Sequence, residues 1–295
     1  MLEKCELCPH RCKVNRLNGE IGRCKAGANP KVALASVHNF EEPCISGSNG
    51  SGTVFFSNCN LGCIFCQNYK ISSGGFGKEI SIQKLAEIFL KEQSFGVHNI
   101  NLVSPTIYVE QIIEAIEIAR KNGLEIPIVY NSSGYERKET IKELKGYIDI
   151  YLPDFKYMED ELGEKYSKIK EYSKYATNSI LEMVNQVGET EYRDGILQRG
   201  VIIRHLVLPN HIKNSMKVLD WIKENLDGKV AVSLMAQYFP TGNFKETELD
   251  RKLTQREYEK ITNYLYEMNF KYGYVQELGK HEEEYVPEFD LRNVE

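Results

Sequence analysis

The sequence predicts an α/β fold organised around a parallel sheet. Beyond residue 50 of this 295-residue chain, six short apolar runs alternate with amphipathic segments, and turn residues bound the runs. Continuous apolar runs are typical of parallel strands that are buried on both faces. Strands that alternate with helices in this way are joined by right-handed crossovers. The pattern therefore indicates either a doubly wound sheet or an open, barrel-like (β/α)6 arrangement.

The six strands are predicted from runs rich in Val, Ile, Leu, Phe and Tyr. These runs are Thr53–Asn58, Asn99–Val103, Pro127–Asn131, Asp149–Pro153, Val201–Leu208 and Val230–Met235. Between the fourth and fifth runs, Asp194-Gly195 lies in the middle of Glu189–Arg199 and is typical of a two-residue hairpin turn. We therefore expect a hairpin inserted into the regular alternation.

Helices are predicted where apolar residues recur at helical spacing. They cover Ser81–Gln93, Val109–Lys121, Lys138–Lys145, Asn178–Val187, Ser215–Asn225 and Thr254–Asn269. Ser81 is a suitable N-cap for the first of these helices, and Gly123 suits the end of the second. The last helix opens with the capping box Thr254-x-x-Glu257. Each predicted helix is thus supported by a capping residue at one of its ends or by an apolar face.

Composition excludes several classes of protein. The chain is 42% hydrophobic and 27% charged, which is ordinary for a globular protein. With 37 basic and 42 acidic residues its formal charge is 37 − 42 = −5, which argues against nucleic acid as a partner. No apolar run approaches the ~18 residues of a membrane span, and the first residues do not read as a signal peptide. We expect a cytoplasmic protein without membrane contact.

The cysteines divide the chain. All eight lie in the first 66 residues. Thiols two or three residues apart in a large chain with no export signal indicate metal ligation rather than a disulfide framework. We expect a cysteine-rich, metal-binding segment at 1–50, the α/β domain at 51–280 and a solvated acidic tail at 281–295, beginning around Glu282-Glu283-Glu284.

The strongest motif is the C-x3-C-x2-C loop of Cys59, Cys63 and Cys66, directly after the first predicted strand. Three clustered thiolates can hold three corners of a [4Fe–4S] cluster and leave the fourth iron open, whereas ferredoxins supply four cysteines. Zinc completed by a histidine is the alternative, but no histidine lies in the loop. The loop leaves the C-terminal end of a parallel strand, where (β/α) folds build active sites.

This loop resembles the signature of the radical S-adenosylmethionine (SAM) superfamily, with Phe65 immediately before the last cysteine. More narrowly, the segment 52–69 resembles uncharacterised homologues of pyruvate formate-lyase activating enzyme. The likeness runs from about Cys5 to Glu277 and includes Asn99–Tyr108, Val129–Glu136, Asp149–Lys156 and Arg199–Pro209. It implies a partial (β/α)6 TIM-like barrel with a small cysteine-rich N-terminal segment.

The resemblance also implies a chemistry. Cys59, Cys63 and Cys66 would bind a [4Fe–4S] cluster, whose open iron the amino and carboxylate groups of SAM would chelate. One electron would then cleave SAM to a 5′-deoxyadenosyl radical that abstracts a hydrogen atom from the substrate. The cofactor supplies the hard chemistry and the protein supplies orientation and exclusion of water. Phe65 would lie against the adenine; the alternative is a plain core aromatic.

Further candidates for cofactor binding follow the second and third strands. Activating enzymes often carry Gly-Gly-Glu after the second strand to hold the SAM amino group, but this chain has Ser104-Pro105-Thr106 there. Ser104, Thr106 or backbone carbonyls would have to replace that contact. After the third strand, Asn131 and Ser133 form a polar turn that suits a ribose or carboxylate, or serves only as a turn.

The later strands carry charged candidates. Asp154 and Lys156 share one face of the sheet by strand alternation and are our catalytic candidates, with a structural ion pair as the alternative. By strand alternation Arg204 and His205 lie on opposite faces of the sheet. We expect Arg204 to bind the SAM carboxylate or ribose and His205 to be structural. After the sixth strand, Gln237 and Tyr238 could line the cavity, which is a weak indication.

A second cysteine set lies near the N-terminus. Cys5, Cys8, Cys12 and Cys24 are four thiols, enough to close a metal site completely. Either a structural zinc or an auxiliary iron–sulfur cluster that relays electrons would fit. Residues 1–31 contain seven basic and three acidic side chains, or 7 − 3 = +4, a patch suited to an acidic donor such as a flavodoxin or ferredoxin. We expect Cys44 to be a small buried residue.

Three functions therefore remain open at this point. The first is hydrogen-atom abstraction by a radical SAM oxidoreductase, including activation of a glycyl radical enzyme. The second is radical SAM modification of another peptide, metabolite or RNA. The third is a non-enzymatic iron–sulfur electron carrier or metal-binding protein.

Overall fold

The apolar runs pair into one twisted sheet in the computed structural model, which describes residues 1–240, 247–279 and 286–295. Its strands are β1 (Lys31–His38), β2 (Ser51–Phe56), β3 (Lys78–Glu79), β4 (Ile100–Val103), β5 (Ile128–Ser132), β6 (Ile150–Pro153), β7 (Glu191–Arg193), β8 (Ile196–Leu206), β9 (Ala231–Met235) and β10 (Gly273–Val275). The six predicted strands are confirmed as β2, β4, β5, β6, β8 and β9.

The sheet is open and mostly parallel. Its order is β10-β9-β8-β6-β5-β4-β2-β1-β3, with every pair from β2 to β10 parallel. β1 pairs antiparallel with β2, and β3 antiparallel with β1. The predicted hairpin is confirmed, because β7 pairs antiparallel with β8 through Asp194-Gly195, both at positive φ. The chain therefore forms the predicted partial (β/α)6 barrel, with β1 and β3 added at one edge of the sheet and β10 at the other.

The helices pack on the sheet through their apolar faces. They are α1 (Pro43–Ser46), α2 (Tyr69–Ser72), α3 (Ile82–Ser94), α4 (Val109–Lys121), α5 (Lys138–Glu143), α6 (Asp160–Ser167), α7 (Tyr172–Val187), α8 (Ile212–Leu226) and α9 (Gln255–Glu267). Ser81 caps α3, and the capping box of Thr254 and Glu257 is formed. α6 was not predicted, and α7 begins six residues before the predicted start.

A short helix fills the lower part of the barrel. Cys44 and Ile45 of α1 are almost completely buried, and they cluster with apolar side chains of the inner face of the sheet. Those side chains are Val129, Ile150, Leu152, Leu197, Ile202 and Ala231. Cys44 is thus the small buried residue that we expected. Because α1 blocks the bottom of the barrel, the polar residues above it face a cavity that opens at the carboxyl ends of the strands.

The boundaries of the barrel differ from the predicted ones at both ends. β1 lies in the segment 1–50, which we expected to be a separate module, yet it is hydrogen-bonded to β2 along six residue pairs. The run 31–38 alternates too weakly to have been read as a strand, and its partner is distant in sequence. The core of the sheet therefore begins before residue 50.

The described part of the acidic tail is not solvated. Residues 286–295 return to β1, where Ala35 N donates to Arg292 O (3.1 Å) and Leu291 N donates to Ala33 O (3.1 Å). Phe289 and Val294 are 4% and 1% exposed. The expectation of a solvated tail was wrong for these residues. It was based on the acidic side chains of the segment and gave too little weight to its apolar positions. The predicted start at 282–284 lies outside the described residues.

Membrane-crossing helices are absent from the described ranges. None of the helices there combines the length with the apolar composition that a bilayer crossing needs.

His205 provides a test of the packing behind the sheet. Its Nδ1–H donates to Phe155 O (2.6 Å) and Ser215 Oγ–H donates to its Nε2 (2.8 Å), as we expected of a structural histidine. Burial lowers the pKa of His205 from 6.5 to about 4. The unfolded chain therefore binds a proton that the folded chain excludes, and stability falls as the pH drops from 6.5 towards 4.

We expect His205→Gln to flatten this pH dependence. In urea titrations the free energy of unfolding of the wild type should fall by up to about 3 kcal/mol more than that of the variant between pH 7 and pH 4. An identical slope for the two proteins would contradict the assignment of a neutral buried imidazole.

Candidate active site

The three-cysteine loop is held in place by α6. Gly62 N donates to Ser167 O (3.1 Å), and Ile64 N donates to Tyr166 O (2.8 Å). The loop thereby gains backbone hydrogen bonds that a free surface loop would make to water. Since α6 was not predicted, this support was missed; its only sequence signal is the apolar spacing of Leu162 and Tyr166.

The three thiols face one cavity of about 190 Å³. Cys63 Sγ lies 2.9 Å from Ser167 Oγ, Cys66 Sγ lies 3.2 Å from Ser72 Oγ, and Leu61 N donates to Cys59 Sγ (3.4 Å). Burial raises the pKa of all three thiols, that of Cys63 to about 11. Without a cation these groups would stay protonated, so the donor set has the chemistry of a site that a metal centre deprotonates.

The donor set fits a cluster better than a single ion. Among the described residues, no three His, Cys, Asp or Glu side chains converge as ligands of one metal ion. A cubane, by contrast, spreads three cysteines over three of its corners. None of the other five cysteines, all in the described part of the chain, lines this cavity. The arrangement thus fits a cluster with one iron open to a ligand.

The wall opposite the thiols is polar and comes from the ends of successive strands. Ser104 follows β4, Ser133 follows β5 and Asp154 follows β6, and all three line the cavity. Ser133 Oγ is buried without a hydrogen-bond partner, which suits contact with a bound molecule. Ser104 has a φ of 60°, a conformation that non-glycine residues rarely adopt and that is frequent at functional sites.

Asp154 and Lys156 form an ion pair inside the cavity. Lys156 Nζ lies 2.5 Å from Asp154 Oδ2, and the side chains are 14% and 16% exposed. Burial acts to raise the pKa of Asp154, but Arg204 and Lys156 beside it hold that pKa below its usual value. Burial likewise opposes the charge of Lys156, but Asp154 raises its pKa. The pair is therefore charged, and it lines the cavity rather than being sealed in the core.

Arg204 connects the strand ends. Its Nε donates to Asp154 Oδ1 (2.9 Å), its Nη1 to Glu41 Oε2 (3.1 Å) and its Nη2 to Asn131 Oδ1 (2.6 Å). Glu41, from the loop between β1 and α1, was not among the predicted site residues. The only sequence signal was the pair of carboxylates in Glu41-Glu42-Pro43. Arg204 is thus committed to protein partners, while Lys156 keeps donors free for a ligand.

One glycine allows the polar strand ends to approach one another. Gly134 has a φ of +74°, and a Cβ there would lie 2.2 Å from Asp154 O. Both the backbone conformation and the close contact exclude other residues without a shift of Asp154. The turn after β5 therefore sets the position of the carboxylate at the end of β6.

Comparison with known proteins shows the family to which the chain belongs. Residues 53–222, more than half of the chain, match the profile of the radical SAM superfamily. The chain belongs to the radical SAM superfamily. Uncharacterized protein MJ0674 of Methanocaldococcus jannaschii is 35% identical over 271 residues, which cover 88% of this chain and 73% of that protein.

Two more distant similarities are informative. A pyruvate formate-lyase-activating enzyme of Clostridium pasteurianum is 23% identical over 231 residues, covering 75% of this chain and 90% of that enzyme. The crystal structure of Streptococcus suis SuiB bound to S-adenosylmethionine matches 80% of this chain with a TM-score of 0.51 and 16% identity. The radical SAM chain spans 52% of the length of that structure, and the likeness concerns the fold.

Phe65 and Gln237 lie in the cavity wall of this radical SAM protein, as the sequence suggested. The Phe65 ring is 5% exposed and meets the ring of Tyr238 edge-on at 6.1 Å. Tyr238 itself points away and donates from its hydroxyl to Leu249 O (2.5 Å). Phe65 is therefore a core aromatic that also lines the cavity, and its contact with the adenine stays a prediction.

Thr106 does not reach the main cavity. Its Oγ1 donates to Glu136 Oε1 (2.6 Å), and both residues are buried. Burial raises the pKa of Glu136 to about 8. Thr106 instead lines a smaller pocket together with Cys59, Ser104 and Ser133, and its contact with SAM stays a prediction. Of the two hydroxyls considered after β4, only that of Ser104 faces the thiol cavity.

The four N-terminal cysteines surround a small cavity of their own. Cys5, Cys8, Cys12 and Cys24 all line it, together with Arg16. Arg23 N donates to Cys12 Sγ (3.4 Å), and a Cβ on Gly22 would lie 2.8 Å from the same sulfur. Burial raises the pKa of Cys8 to about 12. The four cysteines thus line one small cavity, although no three thiols of the described residues meet there as ligands of a single metal ion.

The two cysteine sets are joined by a single hydrogen bond. His10, two residues after Cys8, places its Nε2 2.8 Å from Asn60 O in the three-cysteine loop. The Asn60 side chain in turn donates to Tyr135 O (2.8 Å). The N-terminal segment therefore packs directly against the cluster loop.

Arg204 allows a quantitative test of the cavity. Arg204→Met would leave the buried carboxylate of Glu41 without its cation and Asp154 with Lys156 alone, and we expect a loss of about 3–5 kcal/mol in the free energy of unfolding, measured by urea titration. The matched control is Arg292→Met, because Arg292 is exposed and pairs with Asp290 at 2.8 Å. That change should cost less than about 1 kcal/mol. Equal losses in the two variants would contradict the central role of Arg204.

Proposed function

We propose that the protein cleaves SAM reductively and abstracts a hydrogen atom from a substrate. The observation that carries the proposal is the cavity that three thiols share with the strand-end polar groups and with no fourth cysteine. When bound, the cluster passes one electron to SAM, which yields methionine and a 5′-deoxyadenosyl radical that takes a hydrogen atom. The side chains of the protein bind SAM, orient it and exclude water.

Each cavity residue has a proposed role. Cys59, Cys63 and Cys66 hold the [4Fe–4S] cluster. Lys156 meets the SAM carboxylate, because it keeps N–H donors beyond its bond to Asp154. Arg204 acts as a positioning residue that fixes Asp154 and Asn131. Asn131 and Ser133 meet the ribose, Ser104 meets the amino group, and Phe65 supports the adenine.

The narrower activity we propose is activation of a glycyl radical enzyme. The supporting observation is the similarity to a pyruvate formate-lyase-activating enzyme along 90% of its length. At 23% identity this similarity is consistent with other substrates, so radical modification of a different peptide, metabolite or RNA is the alternative. Deuterium that moves from a glycine-labelled partner protein into 5′-deoxyadenosine would favour the narrower activity, and label transfer only from other substrates would overturn it.

We propose that electrons arrive through the N-terminal segment. Its basic patch suits an acidic flavodoxin- or ferredoxin-type donor. An auxiliary cluster on Cys5, Cys8, Cys12 and Cys24 would lie next to the hydrogen bond of His10 to the cluster loop. Structural zinc is the alternative occupant. All eight cysteines are free thiols, which supports work in a reducing cytoplasm.

The central prediction concerns the open iron. Anaerobically reconstituted protein should change its reduced-cluster EPR spectrum on addition of SAM and, with dithionite, should produce 5′-deoxyadenosine and methionine. Cys59→Ala, Cys63→Ala and Cys66→Ala should each lower product formation by more than about a hundredfold, because each leaves the cluster a ligand short.

Cys44→Ala is the matched control for these variants. Cys44 is buried among apolar side chains and lines neither cysteine cavity, so its product formation should stay near that of the wild type. A cluster whose EPR spectrum does not respond to SAM would overturn the enzyme proposal and leave the electron-carrier interpretation.

The metal of the N-terminal set is tested by Cys5→Ala. An auxiliary cluster predicts that this variant loses about four iron atoms per chain and keeps its zinc content unchanged. Iron and zinc are measured by mass spectrometry on anaerobically purified protein. Loss of zinc with iron unchanged would contradict the relay and assign a structural zinc to these four thiols.

A further inference from the structure

A second cavity adjoins the thiol cavity. It has a volume of about 300 Å³ and lies between the two edges of the open sheet, where the loop 39–43 after β1 meets β9 and β10. The two cavities share part of their walls, namely His38, Glu41, Arg204, Met235 and Gln237. The second cavity, which we call the edge chamber, is therefore separated from the proposed SAM site only by side chains.

Glu42 lines the edge chamber but not the thiol cavity. It is 8% exposed, and its Oε2 is buried without a hydrogen-bond partner. Among the described residues no cationic side chain forms an ion pair with Glu42. Arg204, whose salt bridges go to Asp154 and Glu41, and the hydroxyl of Ser233 both act to lower the pKa of Glu42, but neither reaches its Oε2. A buried carboxylate oxygen without a donor is costly, and such groups usually await a partner.

The carboxyl groups around Arg204 outnumber the cations. Three carboxyl groups, those of Glu41, Glu42 and Asp154, surround two cations, Lys156 and Arg204. Burial raises the pKa of Glu42 to about 7, so its charged form is disfavoured until a cation joins it. The remaining wall is partly apolar, with Met235, Tyr274 and Val275 beside the carboxyl group. The wall is therefore mixed, and a carboxyl group next to apolar side chains within it matches an alkylammonium ion.

We infer that the edge chamber binds the substrate through a protonated primary amine that donates to Glu42. This inference rests on the proposed function, because it places the substrate beside the SAM site. The shared wall of Arg204, Met235 and Gln237 would bring a carbon of the same alkyl chain towards the thiol cavity. The amine of SAM itself is not the partner, since Glu42 does not face the cavity that the thiols line.

The test uses the full-length protein, reconstituted anaerobically, and three probes of equal length: butylammonium, butan-1-ol and butanoate. Affinities are measured by isothermal titration calorimetry with and without saturating SAM. We expect butylammonium to bind at least about tenfold more tightly than butan-1-ol, and butanoate not to bind. Glu42→Gln should remove that preference. Glu87→Gln, an exposed site on α3, is the matched control and should retain it.

The outcomes separate this inference from the proposed function. Equal affinity for butylammonium and butan-1-ol, an unchanged preference in Glu42→Gln, or stoichiometric displacement of butylammonium by SAM would each overturn the amine site. If Glu42→Gln does not fold, the wild-type preference in the presence of SAM decides the question. A cluster that does not respond to SAM in EPR would overturn the proposed function and leave the amine preference measurable on its own.

A fourth probe identifies the source of the amine. Nα-acetyl-lysine methylamide presents the same alkylammonium group on a peptide backbone. If it binds at least about tenfold more tightly than butylammonium, the amine belongs to a peptide side chain. Equal or weaker binding assigns the edge chamber to a small free amine.

Discussion

The buried guanidinium of Arg204 is the interaction on which the upper half of the barrel depends. It brings together the ends of β5, β6 and β8 and the loop before α1, through Asn131, Asp154 and Glu41. Polar groups at the ends of parallel strands would otherwise repel one another or require water. A planar donor with five N–H groups can satisfy several acceptors at once, which an ammonium group does less well. The proposed SAM site is one face of this network, and the edge chamber is the other.

The cluster loop depends on support from segments far away in the chain. The end of α6 supplies backbone acceptors to Gly62 and Ile64 and a hydroxyl next to Cys63, while His10 reaches the loop from the N-terminal segment. Short cysteine loops cannot hold a metal centre in a fixed orientation alone. Shielding by these segments also buries the thiols, which is the reason for their raised pKa values. Substrate, SAM and electrons would therefore approach the same loop from different sides.

Local patterns were sufficient for much of the fold and for the metal ligands. The hairpin turn at Asp194-Gly195 and the caps at Ser81 and Thr254 depend on interactions within a few residues, and each of the six parallel strands has a contiguous apolar run as its signal. The three-cysteine loop is equally local. Strand alternation also placed Asp154 and Lys156 on one face of the sheet, and both line the cavity.

Interactions between distant segments decided the rest. Glu41 and Glu42 belong to the site because α1 inserts into the barrel. No sequence motif at either carboxylate predicts this position. Residues 286–295 read as an acidic tail, yet they pack on β1 because Phe289 and Val294 find apolar partners there. Thr106 lies outside the main cavity because its hydroxyl is hydrogen-bonded to Glu136, which is distant in sequence. The sequence alone determined the strands, the turn chemistry and the thiol ligands, since these follow from neighbouring residues. Only the tertiary structure decided which carboxylates are buried and unpaired, because burial depends on what the whole chain folds around.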